Sequence, residues 1–236
     1  MNNNAPHTVK SYEDELKNLN LNIVKMGALC EEALKNSIES LVEKNQSKAE
    51  NVITNDEKID KFENIIEQQV VDLIALRQPM AIDLRETVTA LKISSDLERI
   101  GDLSKNISKR SLFLSEDLDK QLIQNFKLLA EKVQKQLKSV IDAYLERSAE
   151  VAVNVWENDE KIDEITNDCM QNSIDFLKKD KNNLQNGTHL LFISKNLERM
   201  GDHATNIAEQ VYFLVNGSVL TDERPKADET SLIIPQ

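Results

Sequence analysis

Eight carboxylates in this sequence recur at a spacing that could gather them around cations. Asp56 and Asp60 stand four residues apart, as do Glu98 and Asp102, Asp159 and Asp163, and Glu198 and Asp202. On a helix, residues i and i+4 share a face, and like charges there repel. Such pairs weaken the helix unless something neutralises them. Oxygen donors in this number suit divalent or trivalent ions: Mg²⁺, Mn²⁺, iron or Zn²⁺. The alternative is a solvated acidic face, with Lys58 and Lys161 balancing the Asp pairs and Arg99 and Arg199 bridging to nearby acids.

The heights of the acids separate the two readings. With Pro79 as a turn, Asp60 lies 19 residues before it and Glu98 19 after, while Asp56 and Asp102 lie 23 residues away on either side. Antiparallel helices rise equally per residue, so these acids fall at matching levels. The second set is centred in the same way between Asp180 and Lys181. One pair alone would favour the solvated face; repetition at matched heights favours metal. Glu98 and Asp102 also prolong the line Leu84, Val88, Leu91, Ser95. That line predicts partial shelter by a neighbouring helix, where unpaired charge is expensive.

The elements that position these acids follow from an internal repeat. Residues 55–60, Asn-Asp-Glu-Lys-Ile-Asp, return letter for letter at 158–163, 103 residues on. Leu97-Glu98-Arg99-Ile100-Gly101-Asp102 returns as Leu197-Glu198-Arg199-Met200-Gly201-Asp202, 100 residues on, and Glu43-Lys44 matches Glu146-Arg147. Two motifs in one order at nearly one spacing indicate a duplicated unit. Each unit reads as three helices, over 12–44, 47–77 and 82–113, then 118–147, 149–178 and 184–214. Ile93, Leu97, Ile100 and Ile107 form a helical stripe, repeated by Ile193, Leu197, Met200 and Ile207. Gln78-Pro79-Met80 breaks the first unit between its second and third helices. Residues 179–183 break the second. Short connections make neighbours antiparallel. The expected architecture is all-α: two tandem antiparallel three-helix bundles at 12–114 and 115–215. An N-terminal tail at 1–11 and a mobile tail at 216–236 flank them. Leu232, Ile233 and Ile234 close that tail.

Composition agrees. Only 5 glycines and 4 prolines interrupt 236 residues, and aromatics are 4%, so helices are favoured over sheet. The formal charge of −12 argues against nucleic acid and repels free phosphate unless cations intervene, although local basic patches could meet an acidic partner. Cys30 and Cys169 form no CxxC motif and read as buried reduced thiols, which fits the cytosol. No secretory leader or membrane span is read, so contact with a membrane would go through a partner.

Arg77-Gln-Pro-Met-Ala-Ile-Asp-Leu-Arg85, Leu91-Lys-Ile-Ser-Ser-Asp-Leu-Glu-Arg-Ile-Gly-Asp102 and Asn196-Leu-Glu-Arg-Met-Gly-Asp-His-Ala-Thr-Asn-Ile-Ala208 together resemble the PhoU family, over residues 12–215. The resemblance implies two PhoU bundles side by side. It also implies multinuclear metal clusters on E(D)xxxD motifs, which map to the eight acids above. The implied role is a cytosolic negative regulator of phosphate uptake and of the phosphate-starvation response. The implied partners are a phosphate ABC transporter, through its ATPase subunit, and a sensor histidine kinase, and the implied assembly is a homodimer. Such families read Gly-Asp-His in both repeats; here Leu103 follows Gly101-Asp102, and only the second repeat keeps His203. A ferritin-like di-iron oxidase would need Glu-x-x-His pairs. Asn186 and Met200 stand three residues before His189 and His203, so that chemistry is not encoded. No nucleophile elbow, Walker loop or His-Glu-x-x-His occurs, so no enzyme is expected. A metal-binding helical bundle of ferritin-like type and a metal-free helical adaptor stay open as alternatives.

Overall fold

The computed structural model describes residues 5–115, 118, 120–221, 226 and 227, with side chains from residue 11 onward. Among the described residues there are seven α-helices: α1 (Ala5–Glu43), α2 (Gln46–Asp72), α3 (Ile82–Ser111), α4 (Lys120–Glu146), α5 (Ala149–Glu157), α6 (Glu160–Lys179) and α7 (Leu184–Asn216). No strand occurs among the described residues. The first bundle is α1, α2 and α3; in the second, α5 and α6 together take the place of α2, between α4 and α7. The two bundles lie side by side, α1 against α4 and α3 against α7.

The turns show the duplication in backbone detail. Lys44 and Arg147 both adopt a left-handed conformation, with φ of 54° and 56°. The next residue caps the following helix in each unit: Asn45 accepts from the Lys48 amide at 3.1 Å and Ser148 from the Val151 amide at 3.3 Å. The other turns differ. In the first unit α2 widens into a π-helical turn, Leu73–Arg77, before left-handed Gln78 and Pro79. In the second, Asp180 accepts from the Asn182 amide and a 3₁₀ turn, Lys181–Asn183, leads into α7.

Three differences from the sequence reading stand out. The first helix starts at Ala5 rather than residue 12; Pro6 is tolerated there because first-turn amides need no intrahelical acceptor. The helix expected over 149–178 is broken at Asn158 and Asp159, where the Asn158 amide group donates to the Asn154 carbonyl at 2.6 Å. The same six letters stay helical in α2, so the break is imposed by the surroundings of the hexapeptide. Leu84 and Leu91 are exposed, so the line through Val88 and Ser95 is not the buried face of α3. The buried stripe is Ile93, Leu97, Ile100 and Ile107, matched by Ile193, Leu197, Met200 and Ile207.

Polar contacts pin one bundle to the other. The Tyr144 hydroxyl donates to Asn20 of α1, and Arg147 pairs with Glu86 of α3. His203 Nδ1 lies 2.8 Å from Asp96 Oδ1, which also accepts from Asn206 at 3.3 Å. At the equivalent positions stand Leu103, buried in the core, and Asn196. The departure at Leu103 is therefore matched by a second one: a polar cross-bundle pair on one side faces a Leu and an Asn on the other.

Leu97 and Leu197 are fully buried, so Leu97→Ala or Leu197→Ala should each destabilise the fold by about 2–5 kcal/mol. Asn45→Ala and Ser148→Ala should each remove only about 1 kcal/mol. Urea melts followed by helical circular dichroism measure both. Equal losses at the two kinds of site would contradict this account of the core.

Candidate metal centre

Gly101 brings α3 close to α2 at the level of the acids. A Cβ there would lie 2.9 Å from Ile59 Cδ1 and 3.5 Å from Asp56 Oδ1. Asp56 is buried, while Asp60, Glu98 and Asp102 are half-buried. Lys105, one turn beyond Asp102, reaches into this group. Its ammonium donates to Asp56 Oδ2 and stands 3.6 Å from Asp102 Oδ1. Arg99 approaches Glu98 at 3.4 Å and Asp102 at 3.8 Å.

The acids of the first unit sense one another. Burial, then the Asp102 charge, pushes the Glu98 carboxyl up to about 7. Burial, then Asp56, raises Asp60. Glu63 also belongs to the group: burial raises its carboxyl most, and the charges of Glu67, Asp60 and Asp102 add to it. Its sequence signal was available, since 56, 60 and 63 fall at i, i+4 and i+7 on one helix face. Cys30 lies against the same region. Its thiol donates to the Leu97 carbonyl, and burial followed by the Asp56 charge holds it protonated.

In the second unit Asp159, Asp163 and Glu198 are all buried, and Asp202 is half-buried. Their partners differ from those of the first unit. Thr205, at the position equivalent to Lys105, donates to Asp159 Oδ1 at 3.0 Å. Lys195 donates to Glu198 at 2.8 Å. Lys226 donates to Asp202 at 3.1 Å, and the Ala227 amide donates to Asp163 at 2.9 Å. Two adjacent residues of the expected tail thus join α6 to α7 over these acids. The rest of that tail beyond residue 221, including Leu232, Ile233 and Ile234, lies outside the described residues.

In the first unit Lys105 thus links Asp56 to Asp102, and in the second the adjacent Lys226 and Ala227 link Asp202 to Asp163. As the side chains stand, no three His, Cys, Asp or Glu groups among the described residues are gathered closely enough to hold one ion. The donor chemistry nevertheless fits a hard cation. The groups are carboxylates, several are buried, and Glu98 and Asp60 bind protons more tightly than ordinary acids because of burial first and neighbouring acids second. Lys58 and Lys161 are not paired with the acids of the repeated hexapeptide among the described residues; Lys161 instead donates to Asn158. Lys105, Lys195 and Lys226 pair with the acids, and Thr205 hydrogen-bonds to Asp159. The hexapeptide gave no signal for them, because they come from other turns and other segments.

Both units match one protein family: the PhoU domain aligns with residues 23–111 and again with 126–211. The chain is 43% identical to the phosphate-specific transport system accessory protein PhoU homolog of Caulobacter vibrioides, over 95% of this chain and 98% of that one. It is 40% identical to the corresponding homolog of Rhizobium meliloti, over 96% of each. The fold superimposes on the crystal structure of PhoU from Pseudomonas aeruginosa with a TM-score of 0.82 and 27% identity, covering 88% of this chain and all of the other. It superimposes on the phosphate transport system regulatory protein PhoU from Streptococcus pneumoniae with a TM-score of 0.83 and 28% identity, over 89% of this chain and all of that one.

The raised Glu98 carboxyl sets a pH dependence. The folded protein holds this proton more tightly than the unfolded chain, so stability falls as pH rises from about 4.5 towards about 7. In metal-free protein, Glu98→Gln should remove that part of the slope. The melting temperature of the variant should exceed wild type by a margin that grows from pH 5 to pH 8. Parallel melting curves across this range would show that the Glu98 carboxyl does not carry uncompensated charge.

Proposed function

The chain belongs to the PhoU family, and from that premise we propose that it is a negative regulator of phosphate uptake and of the phosphate-starvation response. The observation that carries the proposal is the family match in both units, together with close relatives named as accessory proteins of phosphate-specific transport. Its role is associated with phosphate transport. In this reading it works on the cytoplasmic side, by contact with the ATPase subunit of a phosphate ABC transporter and with a sensor histidine kinase, and it forms a homodimer. No described helix is long and apolar enough to cross a membrane, which is consistent with reaching the membrane through partners.

The shape of the first unit supports a docking role. The turn from α2 into α3 exposes Ile74, Leu76, Met80 and Ile82, with Leu76 and Met80 each more than three-quarters accessible. The equivalent turn of the second unit is Lys179-Asp180-Lys181-Asn182-Asn183. Behind the apolar turn Arg77 holds Glu15 of α1 through two of its nitrogens, and Tyr12 donates to Asp83 at 3.0 Å. The turn is thus presented on a fixed support. Exposed apolar side chains on a rigid element suit a protein interface.

Metal ions bound by Asp56, Asp60, Glu98 and Asp102, and by Asp159, Asp163, Glu198 and Asp202, complete the proposal. Bound there, a cation supplies positive charge to buried carboxylates and ties neighbouring helices together. The chain's own residues set how much external charge each unit needs. Lys105 supplies part of it in the first unit, and Thr205 supplies none. A metal-free adaptor is the second reading, favoured by the Lys105–Asp56 pair.

Two outcomes are expected. In surface plasmon resonance against the cytoplasmic portion of the kinase and the transporter's ATPase subunit, wild type should bind at least one of them. A Leu76→Asp, Met80→Asp double variant should bind about tenfold more weakly or worse with unchanged melting. Absence of binding to both proteins, with and without metal, would leave the regulatory reading without a mechanism. For the metal, Lys105→Thr should raise the metal content of protein purified without chelator, and Thr205→Lys should lower it. Metal contents indifferent to both exchanges would favour the metal-free adaptor.

A further inference from the structure

A cavity of about 280 Å³ opens between α4 and the α5–α6 break. Lys132, Lys135 and Lys161 line it, with Ser139, Asn154 and Asn158, and no acidic residue contributes to its wall. In a chain of net charge −12 this is an unusual concentration of positive charge. Neither Lys132 nor Lys135 has an ion-pair partner among the described residues. Lys161 donates only to the neutral Asn158 oxygen.

The duplication supplies a control within the same molecule. The first unit has a cavity at the equivalent place, of about 80 Å³, lined by Leu29, Glu32 and Ala33 where the second has Lys132, Lys135 and Gln136. Asn55, Lys58 and Ile59 recur as Asn158, Lys161 and Ile162. Asp56 lines the small cavity, whereas Asp159 does not line the large one. The backbone plan is therefore shared, and the differences are a gain of volume, two gained lysines and the loss of two acidic wall residues.

Gln136 adds an independent observation. It is 7% exposed and forms a buried part of the wall. Its Nε2 donates to the Thr205 hydroxyl at 3.2 Å and to the Val155 carbonyl at 3.4 Å, which fixes the orientation of the amide. Its Oε1 is buried and accepts no hydrogen bond from the protein. That oxygen faces α7, 3.4 Å from where a Cβ of Gly201 would stand, so the amide closes the floor of the cleft.

We propose that this cleft is a binding site for a phosphoryl anion, held by Lys132, Lys135 and Lys161 with Ser139, Asn154 and Asn158 as neutral hydrogen-bonding groups. The volume equals about nine waters at roughly 30 Å³ each, so it admits inorganic phosphate and also a larger phosphorylated compound. The inference stands on the cavity and its charge, and goes beyond the regulatory role and the acid clusters.

Isothermal titration of metal-stripped full-length protein with inorganic phosphate and pyrophosphate tests it at pH 7. Phosphate or pyrophosphate should bind. Replacing Lys132→Leu and Lys135→Glu, which installs the residues of the first unit on an exposed helix face, should weaken binding about tenfold or more. Circular dichroism of that variant confirms folding, and Lys161→Ala, also exposed, should weaken binding independently. Tighter binding of pyrophosphate identifies a larger phosphorylated ligand as the source, and equal binding identifies free phosphate. Absence of binding, or binding only to metal-loaded protein and unchanged in the variants, would overturn the site.

Discussion

Charge taken out of water between helices must be answered by other charge or by hydrogen bonds, because an unpaired buried ion costs several kcal/mol. Each unit of this chain places carboxylates at one level of a helical bundle where hydrocarbon would be the ordinary filling. Asp56 in the first unit and Asp159, Asp163 and Glu198 in the second are almost wholly removed from solvent. Around them the bundle is apolar and tightly built, with Ile93, Leu97 and Ile100 on one side of the duplication and Ile193, Leu197 and Met200 on the other. Gly101 removes the side chain that would otherwise hold α3 away from Ile59. The hydrocarbon stripe supplies the stability, and the acids use part of it.

The two units meet this constraint in different ways. The first answers with its own cation: Lys105 reaches Asp56 and approaches Asp102. The second has Thr205 at that position and answers with hydrogen bonds, from Thr205 to Asp159 and from the Ala227 amide to Asp163. A hydroxyl satisfies a lone pair but leaves the charge. The second unit also buries more of its acids. Lys226, which comes from far along the chain, pairs with Asp202. Duplication followed by exchange at one position thus gives two acid groups with different partners.

The repeat, the helical stripe and the break at Pro79 were legible in the sequence, because each is written in spacing or in proline. Lys44 and Arg147 were read as helix ends, and their left-handed conformation was not. The partners of the acids were not legible, because they depend on helix rotation and on contacts far apart in the chain. Leu84 and Leu91 show the same limit: their spacing suggests a buried line, yet rotation of α3 turns them outward and turns Ile93 and Leu97 in. Identical hexapeptides gave an unbroken helix at Asp56 and a broken one at Asp159. No local rule can separate two copies of one string; their tertiary neighbours do. His203 was singled out because its counterpart is Leu103, but its partner, Asp96, lies in the other bundle.

The second acid group and the lysine-lined cleft are not separate features. Gln136 in the wall of the cleft donates to Thr205, and Thr205 donates to Asp159. One side chain of the cleft is therefore two hydrogen bonds from a buried carboxylate. Asp159 lies behind that wall, and its charge repels an anion in the cleft. A cation bound by those acids cancels that repulsion and makes the anion's entry easier. Linkage is reciprocal: an anion that binds more tightly beside a filled acid group must tighten the cation by the same factor. The first unit has no counterpart of this chain, since Ala33 stands at the place of Gln136 and Lys105 at the place of Thr205. Within the proposed reading, a dependence of one ligand on the other belongs to the second bundle alone.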